Sequence, residues 1–245
     1  MLAGVNGHGK SEVAGHLTLG ALQQDWRACI ASMEFRPARW LQQLTRQAGG
    51  LPGPSEDYIR AIHRWYADRL WVFDVAGTAK ANRIIEVFTY ARRRYGIGLF
   101  VIDNLAKCGF AEDDYNGQKT FIDQLTDFAR EHDAHVLLVA HMRKREDETK
   151  ISGKLDIKGS GALTDMADSV LIAWRNKGKE KEIRKAQQRR EEPPEDMLNK
   201  PDAMIVCEKQ RNGDGEPMVA LWFDHRSHQF LDGRHSKPRR YVDLR

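Results

Sequence analysis

GVNGHGKS, at residues 4–11, is the stretch that decides the fold of this chain. It places Gly4, Gly9, Lys10 and Ser11 in the order G-x-x-x-x-G-K-S, directly after a short apolar run and directly before an amphipathic stretch. Glycines let backbone N–H groups wrap a triphosphate without side-chain clashes, the lysine reaches its β and γ phosphates, and the serine hydroxyl ligates Mg²⁺. The pattern therefore predicts a P-loop, or Walker A motif. The alternative is a glycine-rich turn without a ligand.

We expect the whole P-loop to contact the nucleotide. The residues predicted to do so are Gly4, Asn6, Gly7, His8, Gly9, Lys10, Ser11 and Glu12. The cofactors implied are ATP or another nucleoside triphosphate and Mg²⁺.

The length and composition fit one globular domain. The 245 residues suit a single large α/β domain, and 41% hydrophobic with 30% charged residues provide a core beneath a solvated surface. We predict one domain over residues 1–245 that starts within the P-loop strand. Residues 177–200, rich in Lys, Arg, Glu and Gln, are predicted to be a flexible, partly helical charged insertion on the surface, and the functional alternative is a flexible arm near DNA. Residues 232–245 are predicted to be a tail. A net charge of +4 is compatible with phosphate-rich partners and decides nothing by itself.

The cysteines and the hydropathy pattern predict the compartment. Cys29, Cys108 and Cys207 are odd in number and widely spaced, which argues against a disulfide framework and against a zinc site. No apolar run approaches the ~20 residues of a membrane span, and no secretory leader pattern is present. We expect a soluble, cytoplasmic protein without a membrane partner.

Short apolar runs alternate with amphipathic stretches, which is typical of a parallel sheet with crossover helices. The predicted strands are 1–4, 27–33, 70–75, 99–102, 135–140, 169–174, 203–208 and 219–223. The predicted helices are 10–24, 36–47, 55–68, 79–95, 117–132 and 161–167. Long helices are missing between the last strands, so the sheet should end antiparallel. The fold class is α/β, with a mostly parallel central sheet, helices on both faces and an antiparallel C-terminal extension.

Two carboxylates follow predicted strands. Asp103 ends the apolar strand 99–102, the Walker B pattern, and lies at the strand edge where it can join Ser11 in holding Mg²⁺. Residue 104 is Asn, so the general base must come from elsewhere. Glu34, at the end of strand 27–33, is the predicted base that activates water. The alternative for Glu34 is an acid favoured by a helix N-terminus.

Three further polar residues follow later strands. His141 ends strand 135–140 and can contact the γ-phosphate there, although a lone His at a strand end is usually a surface residue. Lys209 and Arg211 alternate at the end of a late strand, so both cations share one face and can reach a phosphate held by a neighbouring subunit. The alternative for this pair is a basic hairpin tip.

Together these motifs resemble the DnaB-type replicative DNA helicases, whose motor is a RecA-like domain. They are most similar to the branch with mitochondrial Twinkle and the primase-helicases of T-odd phages. The resemblance runs from Met1 to about Leu231, and its most specific parts are the P-loop and the segments 32–34, 156–163 and 209–213.

The resemblance implies roles for several residues. It makes Glu34 the catalytic base and His141 a γ-phosphate sensor coupled to the DNA loops, acting with Lys10. It directs Lys209 and Arg211 into the next subunit's nucleotide, where such an arginine finger is worth about 10³ to 10⁵ in rate. It also implies that Arg175 packs on the nucleotide base.

A basic loop follows the His141 strand, and the resemblance implies that its end grips the DNA backbone. The predicted DNA-binding residues are Arg143, Lys144, Lys154, Lys158, Gly159 and Gly161. A basic loop attached to a phosphate sensor can move along a backbone as the nucleotide state changes. Acidic residues at 146–148 leave a mixed, solvated loop as the alternative.

The function expected from the resemblance is an NTP-dependent motor that translocates 5′ to 3′ on single-stranded DNA and unwinds a replication fork. A homo-hexameric ring is expected where the upstream linker is present, with a primase domain or protein as partner, in a bacterial or phage-infected bacterial cell. The alternatives are a RecA-like recombination or loader ATPase, a P-loop small-molecule kinase, and a regulatory module that binds nucleotide without hydrolysis. Stimulation by DNA and strand displacement on a forked substrate separate them.

Overall fold

A computed structural model describes residues 1–74, 81–111, 113–143, 150–159 and 161–243. Its strands are β1 (Leu2–Gly4), β2 (Ala28–Ser32), β3 (Leu70–Phe73), β4 (Leu99–Asp103), β5 (His135–His141), β6 (Ser169–Arg175), β7 (Ala203–Gln210), β8 (Met218–Asp224) and β9 (Gln229–Leu231). Its α-helices are α1 (Lys10–Gln23), α2 (Pro37–Gly49), α3 (Glu56–Tyr66), α4 (Ala81–Tyr95), α5 (Tyr115–Glu131), α6 (Ala162–Met166), α7 (Lys177–Arg189) and α8 (Glu195–Asn199). Short 3-10 helices cover Leu105–Lys107 and Lys154–Asp156.

The described strands form one sheet in the order β3-β2-β4-β5-β1-β6-β7-β8-β9. All neighbours from β3 to β6 pair in parallel, and the pairs β6-β7, β7-β8 and β8-β9 are antiparallel. The predicted mostly parallel sheet with an antiparallel C-terminal extension is confirmed. In this order β5 lies between the P-loop strand β1 and the Walker B strand β4.

Helices cover both faces of the parallel strands because those strands are apolar on both faces. Every residue of β2 and β4 is buried. On one face, Ile30 and Val101 pack with side chains of α1, α2 and α3. On the other face, Phe100 and Ile102 pack with side chains of α4 and α5, where the Phe100 ring lies 4.5 Å from that of Phe88. This double burial fixes the sheet between two helical layers.

The charged tract 177–200, for which a partly helical insertion was predicted, contains the two helices α7 and α8. The side chain of Asn176 caps α7 by accepting a hydrogen bond from the Lys179 backbone at 2.9 Å. The Lys179 ammonium is buried, pairs with Asp202 at 2.7 Å and donates to the carbonyl of Lys200 at 2.6 Å. One buried cation thus joins both ends of the segment to β7.

The last strand and the tail were not foreseen as packed structure. Strand β9 was missed because it has three residues and little apolar pattern. Gln229 is 1% exposed and its amide donates to the carbonyls of Gln47 and Arg239 at 2.5 and 2.6 Å. The tail also accepts a hydrogen bond at the Val242 carbonyl from the Tyr58 hydroxyl, at 2.7 Å. Residues 232–243 therefore pack against α2 and α3.

Two other features bear on the sequence predictions. Cys29, Cys108 and Cys207 are all free and buried. None of the helices in the described ranges is long and apolar enough to cross a membrane. The predicted strand 70–75 and helix 79–95 extend into residues 75–80, which lie outside the described residues.

Replacing Gln229 by Leu should destabilise the fold by roughly 2–4 kcal/mol, because two carbonyls lose their donor in a buried site. Urea unfolding measures this loss. Gln23→Leu is the matched control, because Gln23 is exposed on α1 and should change the free energy of unfolding by under about 0.5 kcal/mol. Equal stability of the two variants would show that the tail is not anchored through Gln229.

Candidate active site

The carboxyl ends of four parallel strands meet at one edge of the sheet. The register pairs Gly4 of β1 with His141 of β5, and Ser32 of β2 with Asp103 of β4. The P-loop leaves β1, Glu34 follows β2, and Asn104 follows β4. Parallel neighbours thus bring residues more than a hundred positions apart to a common edge.

The P-loop glycines meet two local requirements. A Cβ at Gly4 would lie 2.7 Å from the backbone carbonyl oxygen of Ala173, so β1 could not approach β6 with a larger residue. Gly9 precedes α1 with φ of 76°, in the left-handed region that favours glycine. The backbone can therefore turn directly from β1 into the first turn of α1. The N–H groups of that turn are available to an anion.

A cavity of about 850 Å³ opens beside the P-loop. Ten predicted site residues line it: Asn6, Gly7, His8, Gly9, Lys10, Ser11, Glu12, Glu34, His141 and Arg175. The cavity brings together the residues predicted for the nucleotide and for the hydrolytic step.

Lys10 lies across the loop. Its side chain is largely buried, and Nζ donates to the Val5 carbonyl at 3.2 Å. Burial lowers the pKa of Lys10, and the carboxylates of Glu34, Asp103 and Glu12 act in the opposite direction. These acids therefore favour a cation at the position where a triphosphate would need one.

Ser11 and Asp103 form a pair of oxygen donors. The Ser11 hydroxyl donates to Asp103 Oδ2 at 2.7 Å, and Asp103 is 1% exposed. Burial raises the pKa of Asp103, although the Ser11 hydrogen bond acts against that rise. This donor set fits Mg²⁺, which takes one or two protein oxygens together with phosphate oxygens and water. Among the described residues, no group of three or more His, Cys, Asp or Glu side chains could hold a metal ion by itself.

A polar cluster joins the ends of β2, β4 and β5. The Asn104 amide donates to Glu34 Oε1, and Asn104 Nδ2 lies 2.8 Å from His141 Nε2. His141 Nε2 lies 3.2 Å from the same Glu34 oxygen. Asn104 is fully buried, whereas the side chains of Glu34 and His141 are 32% and 18% exposed. The cluster fixes one carboxylate oxygen of Glu34 and leaves that carboxylate facing the cavity.

The cluster also keeps Glu34 ionised. The hydrogen bond from His141 is the largest cause that lowers the pKa of Glu34, with further help from the charge of His141, the Asn104 amide and Lys10. Burial acts in the opposite direction. A carboxylate held in this way can accept a proton at neutral pH.

Arg175, at the end of β6, connects the P-loop to α7. Its guanidinium donates to the Gly7 carbonyl at 3.1 Å and pairs through Nε with Glu180. Its backbone N–H lies 3.4 Å from Nδ1 of His8. The predicted position of Arg175 beside the bound nucleotide stays a prediction.

The predicted DNA loop starts directly beyond His141. Met142 and Ile157 form a β-bridge, and the backbone N–H of Lys158 donates to the His141 carbonyl at 2.8 Å. The backbone N–H of Arg143 donates to the Asp156 carbonyl at 2.8 Å. The loop is therefore attached to the residue that lines the cavity.

The remaining residues of that prediction lie further along the same segment. The Lys154 backbone N–H lies 3.2 Å from the Glu208 carboxylate, Gly159 packs against Gln118, and Gly161 precedes α6. Lys144 lies outside the described residues.

Lys209 and Arg211 lie away from this chain's own cavity. Gln210 pairs with Ser169, so the pair lies at the start of β6, whereas Arg175 and the cavity lie at its end. Lys209 donates to the carbonyls of Thr164 and Asp165 at 2.8 and 2.7 Å. Arg211 donates to the Asp165 carbonyl at 2.7 Å and pairs with Asp168 at 3.3 Å.

Several lining residues were missed from the sequence. The sequence analysis used Asn104 only to exclude a general base at that position. Its place directly after the Walker B strand could have predicted that its side chain lies at the site. A second group comes from α7 and from the β8–β9 hairpin: Glu180, Ile183, Arg184, Gln187, His225, His228 and Phe230. The four α7 residues recur at helical spacing, a signal hidden by the high charge of the tract.

Known proteins share parts of this sequence. The AAA domain family matches residues 1–147, which is more than half of the chain. A DNA helicase/primase of Enterobacteria phage T3 is 23% identical over 117 residues, covering 44% of this chain and 21% of that protein. The chain therefore spans about a fifth of the length of this curated relative.

Two solved structures share the fold. One is an isolated ATPase domain, which superposes with a TM-score of 0.74 at 21% identity, over 94% of this chain and 83% of that one. The other is a DnaB-like replicative helicase, described together with its interactions with primase. It superposes with a TM-score of 0.71 at 20% identity, over 94% and 56% of the two chains. These likenesses confirm the predicted RecA-like fold.

Replacing His141 by Ala should raise the pKa of Glu34 toward its ordinary value of 4.5, because the largest cause of the lowering is removed. Carbon-13 NMR titration of labelled glutamate side chains measures this change. Because the folded pKa is lowered, the carboxylate stabilises the parent above pH 4.5 and loses this effect as pH falls through the folded pKa. The free energy of unfolding of His141→Ala should therefore fall less than that of the parent as the pH is lowered from 4.5 through the folded pKa of Glu34.

Two internal controls belong to this titration. Glu182 on α7 has a lowered pKa because of Lys185, so its titration should not move in His141→Ala. His235→Ala removes an exposed histidine and should leave Glu34 unchanged. An unchanged Glu34 pKa in His141→Ala would contradict the proposed control of this carboxylate.

Proposed function

The chain belongs to the AAA domain family, and from this premise we propose that it is an NTP-hydrolysing DNA helicase motor. The observation that carries the proposal is the meeting of the P-loop, Glu34 and His141 around one cavity at the edge of four parallel strands, with Asp103 hydrogen-bonded to the cavity residue Ser11. The motor is proposed to translocate on single-stranded DNA, 5′ to 3′, and to unwind a replication fork.

The nucleotide would lie with its phosphates on the P-loop. The backbone N–H groups at the start of α1 and the Lys10 ammonium would hold the β and γ phosphates. Ser11 and Asp103 would hold Mg²⁺, which neutralises developing negative charge on the phosphate oxygens when bound. Arg175 would pack beside the base.

Glu34 is proposed as the general base of hydrolysis. Its Oε1 is held by Asn104 and His141, so Oε2 is the oxygen proposed to take a proton from the attacking water. The lowered pKa keeps Glu34 ionised and ready to accept that proton. Asn104, which directly follows the Walker B strand, therefore orients the Glu34 carboxylate.

His141 is proposed to couple the nucleotide to DNA. Its ring contacts Glu34 in the cavity, and its carbonyl accepts the hydrogen bond from Lys158 in the loop. If the His141 ring moves when the nucleotide state changes, the movement would reach the loop with Arg143 and Lys154 through the backbone of His141 itself. These cations would contact phosphates along a single strand without reading its sequence.

Lys209 and Arg211 are proposed to act on a neighbouring subunit. Their place at the opposite end of β6 from the cavity supports a role in another chain's site. There Arg211 would stabilise charge that develops in the transition state. We propose a homo-hexameric ring where an upstream linker is present, and a primase domain or protein as its partner.

A recombination or loader ATPase without unwinding activity would share this site. DNA-stimulated hydrolysis is expected of both proteins, whereas displacement of a strand from a forked duplex is expected only of the helicase. Hydrolysis that single-stranded DNA leaves unchanged would instead favour a small-molecule kinase or a regulatory module.

Glu34→Gln should bind nucleotide with nearly the parent's affinity and lose hydrolysis by at least about a hundredfold, because the amide keeps the shape but cannot take a proton. ATPase assays with and without single-stranded DNA, alongside titration of a fluorescent nucleotide, measure both effects. Lys10→Ala is the companion variant, which should lose nucleotide binding or turnover. Parent-like hydrolysis in Glu34→Gln would leave Glu34 as a helix-terminal acid only.

Arg211→Ala should keep nucleotide affinity and lose hydrolysis by about 10³-fold or more, because the finger acts in the transition state. Mixing Arg211→Ala with Glu34→Gln chains should restore part of the activity. Mixed rings contain interfaces where an intact Glu34 meets an intact Arg211 of the neighbour. Rings made of either variant alone have no such interface. Arg93→Ala, on the exposed surface of α4, is the matched control and should behave as the parent.

This mixing experiment requires rings whose subunits exchange. Light scattering in the presence of nucleotide establishes the ring mass, and exchange between labelled chains establishes mixing. Absence of rescue at every mixing ratio, in rings that demonstrably exchange, would contradict the action of Arg211 in trans.

A further inference from the structure

Strand β7 contains a bulge at Glu208. Val170 of β6 pairs with Lys209, and the next residue, Leu171, pairs with Cys207. Glu208 falls between these pairs, opposite no residue of β6 in the described register. A bulge leaves its extra residue outside the regular ladder and re-aims its side chain. The fold therefore places the Glu208 carboxylate for a contact beyond the β6–β7 pair.

Glu208 makes this contact with the DNA segment, which we define as residues 153–159. The backbone N–H of Lys154 donates to Glu208 Oε2 at 3.2 Å. A Cβ on the preceding Gly153 would lie only 3.5 Å from the same oxygen. The N–H of Gly153 itself donates to the Asp156 carboxylate at 3.0 Å. Glu208 thus fastens the start of the DNA segment to β7.

The finger pair, Lys209 and Arg211, fastens the other side of this segment. Lys209 donates to the carbonyls of Thr164 and Asp165 at 2.8 and 2.7 Å. Arg211 donates to the Asp165 carbonyl at 2.7 Å and pairs with Asp168 at 3.3 Å. Carbonyls in the last turn of a helix are ordinary partners of such cations. The end of β7 therefore holds α6, which follows the DNA segment in the chain.

The DNA segment and the finger pair also interact electrostatically. Burial lowers the pKa of Lys209, and the charges of Arg211 and Lys154 lower it further. The carboxylates of Asp165 and Asp168 act in the opposite direction. Lys154, a predicted phosphate contact, thus lies within electrostatic range of Lys209. A DNA phosphate at Lys154 would offset part of the repulsion between these cations.

We propose that Glu208 is a positioning residue that couples the DNA held by one subunit to the finger pair which the same subunit offers to its neighbour; this inference rests on the proposed function. Glu208 holds the DNA segment at its start, and the finger pair holds it through α6. Phosphates that displace the segment would therefore displace the end of β7 with it. The effect appears at the neighbour's nucleotide, because Arg211 is proposed to act there.

The variant that tests this inference is Glu208→Ala, which removes the acceptor of the Lys154 N–H. Glu208→Gln is the conservative variant, because its side-chain carbonyl can still accept that hydrogen bond. Glu216→Ala is the matched control, since it removes an exposed carboxylate between β7 and β8. Hydrolysis with and without single-stranded DNA, and DNA affinity by fluorescence anisotropy, are measured on rings whose mass is established by light scattering.

Glu208→Ala should keep the DNA-free rate of hydrolysis within about twofold and lose about fivefold or more of the stimulation by single-stranded DNA, the range of typical coupling free energies. Its DNA affinity should stay within about threefold of the parent, because the cations that contact phosphates remain. Glu208→Gln should keep most of the stimulation, and Glu216→Ala should match the parent. Thermal unfolding of all variants establishes that the fold is intact.

Mixed rings show on which side of the subunit interface Glu208 acts. Glu208→Ala mixed with Glu34→Gln should regain DNA stimulation, because a site with intact Glu34 then meets a finger from a chain with intact Glu208. Glu208→Ala mixed with Arg211→Ala should regain none, because both defects lie on the chain that supplies the finger.

Four results would overturn the inference. Parent-like stimulation in Glu208→Ala would leave the contact with Lys154 without a role in coupling. Equal losses in Glu208→Gln and Glu208→Ala would assign the effect to charge, and a parallel loss of DNA affinity would make Glu208 only a support of the DNA site. Absence of any regain with Glu34→Gln, in rings that demonstrably exchange, would place the action of Glu208 at its own chain's nucleotide.

Failure of the proposed function gives a different pattern, because it is visible before Glu208 is changed. Hydrolysis by the parent would then show no stimulation by single-stranded DNA, or Arg211→Ala and Glu34→Gln would not rescue each other. Where the parent is stimulated and this rescue occurs, a parent-like Glu208→Ala contradicts the coupling role of Glu208 alone.

Discussion

The parallel order of β2, β4, β5 and β1 is the constraint on which the rest of the structure depends. Parallel neighbours end at the same edge, so each strand delivers its next residues to a common place. Because β5 lies between β1 and β4, His141 stands between the P-loop and the Walker B strand. The two helical layers bury both faces of these strands and hold their ends in register.

That edge concentrates charge in a partly buried space. Lys10 and Asp103 are both buried, and burial lowers the pKa of Lys10 and raises that of Asp103, which favours the neutral form of each. The charge of each residue acts against this shift in the other. Glu34 escapes this tendency because His141 and Asn104 donate to it. The site therefore holds Glu34 as an ionised carboxylate that can accept a proton. Beside it, the Asp103 carboxylate pairs with Ser11 in a donor set that fits a cation. His141 also links this balance to the backbone of the loop beyond it.

Polar residues outside the site organise the parts that carry little apolar pattern. Lys179 joins α7 and α8 to Asp202, and Gln229 joins β9 to the tail and to α2. Buried polar groups of this kind are costly unless every partner is in place, so they specify one arrangement of their segment. In this chain they hold α7 and β9, and both elements contribute residues to the lining of the cavity.

The sequence by itself determined the α/β class, the P-loop, most strands and helices, and the residues Lys10, Ser11, Glu34, Asp103 and His141 that the structure brings together; their chemical roles remain proposals. It could do so because apolar periodicity and glycine spacing are local patterns. It did not foresee the place of Asn104, the packing of α7 and α8, or β9, since these depend on contacts such as that between Lys179 and Asp202. Only the tertiary structure decided that Lys209 and Arg211 lie away from their own cavity. Strand order is a long-range property, and antiparallel β7 places its end beside the start of β6.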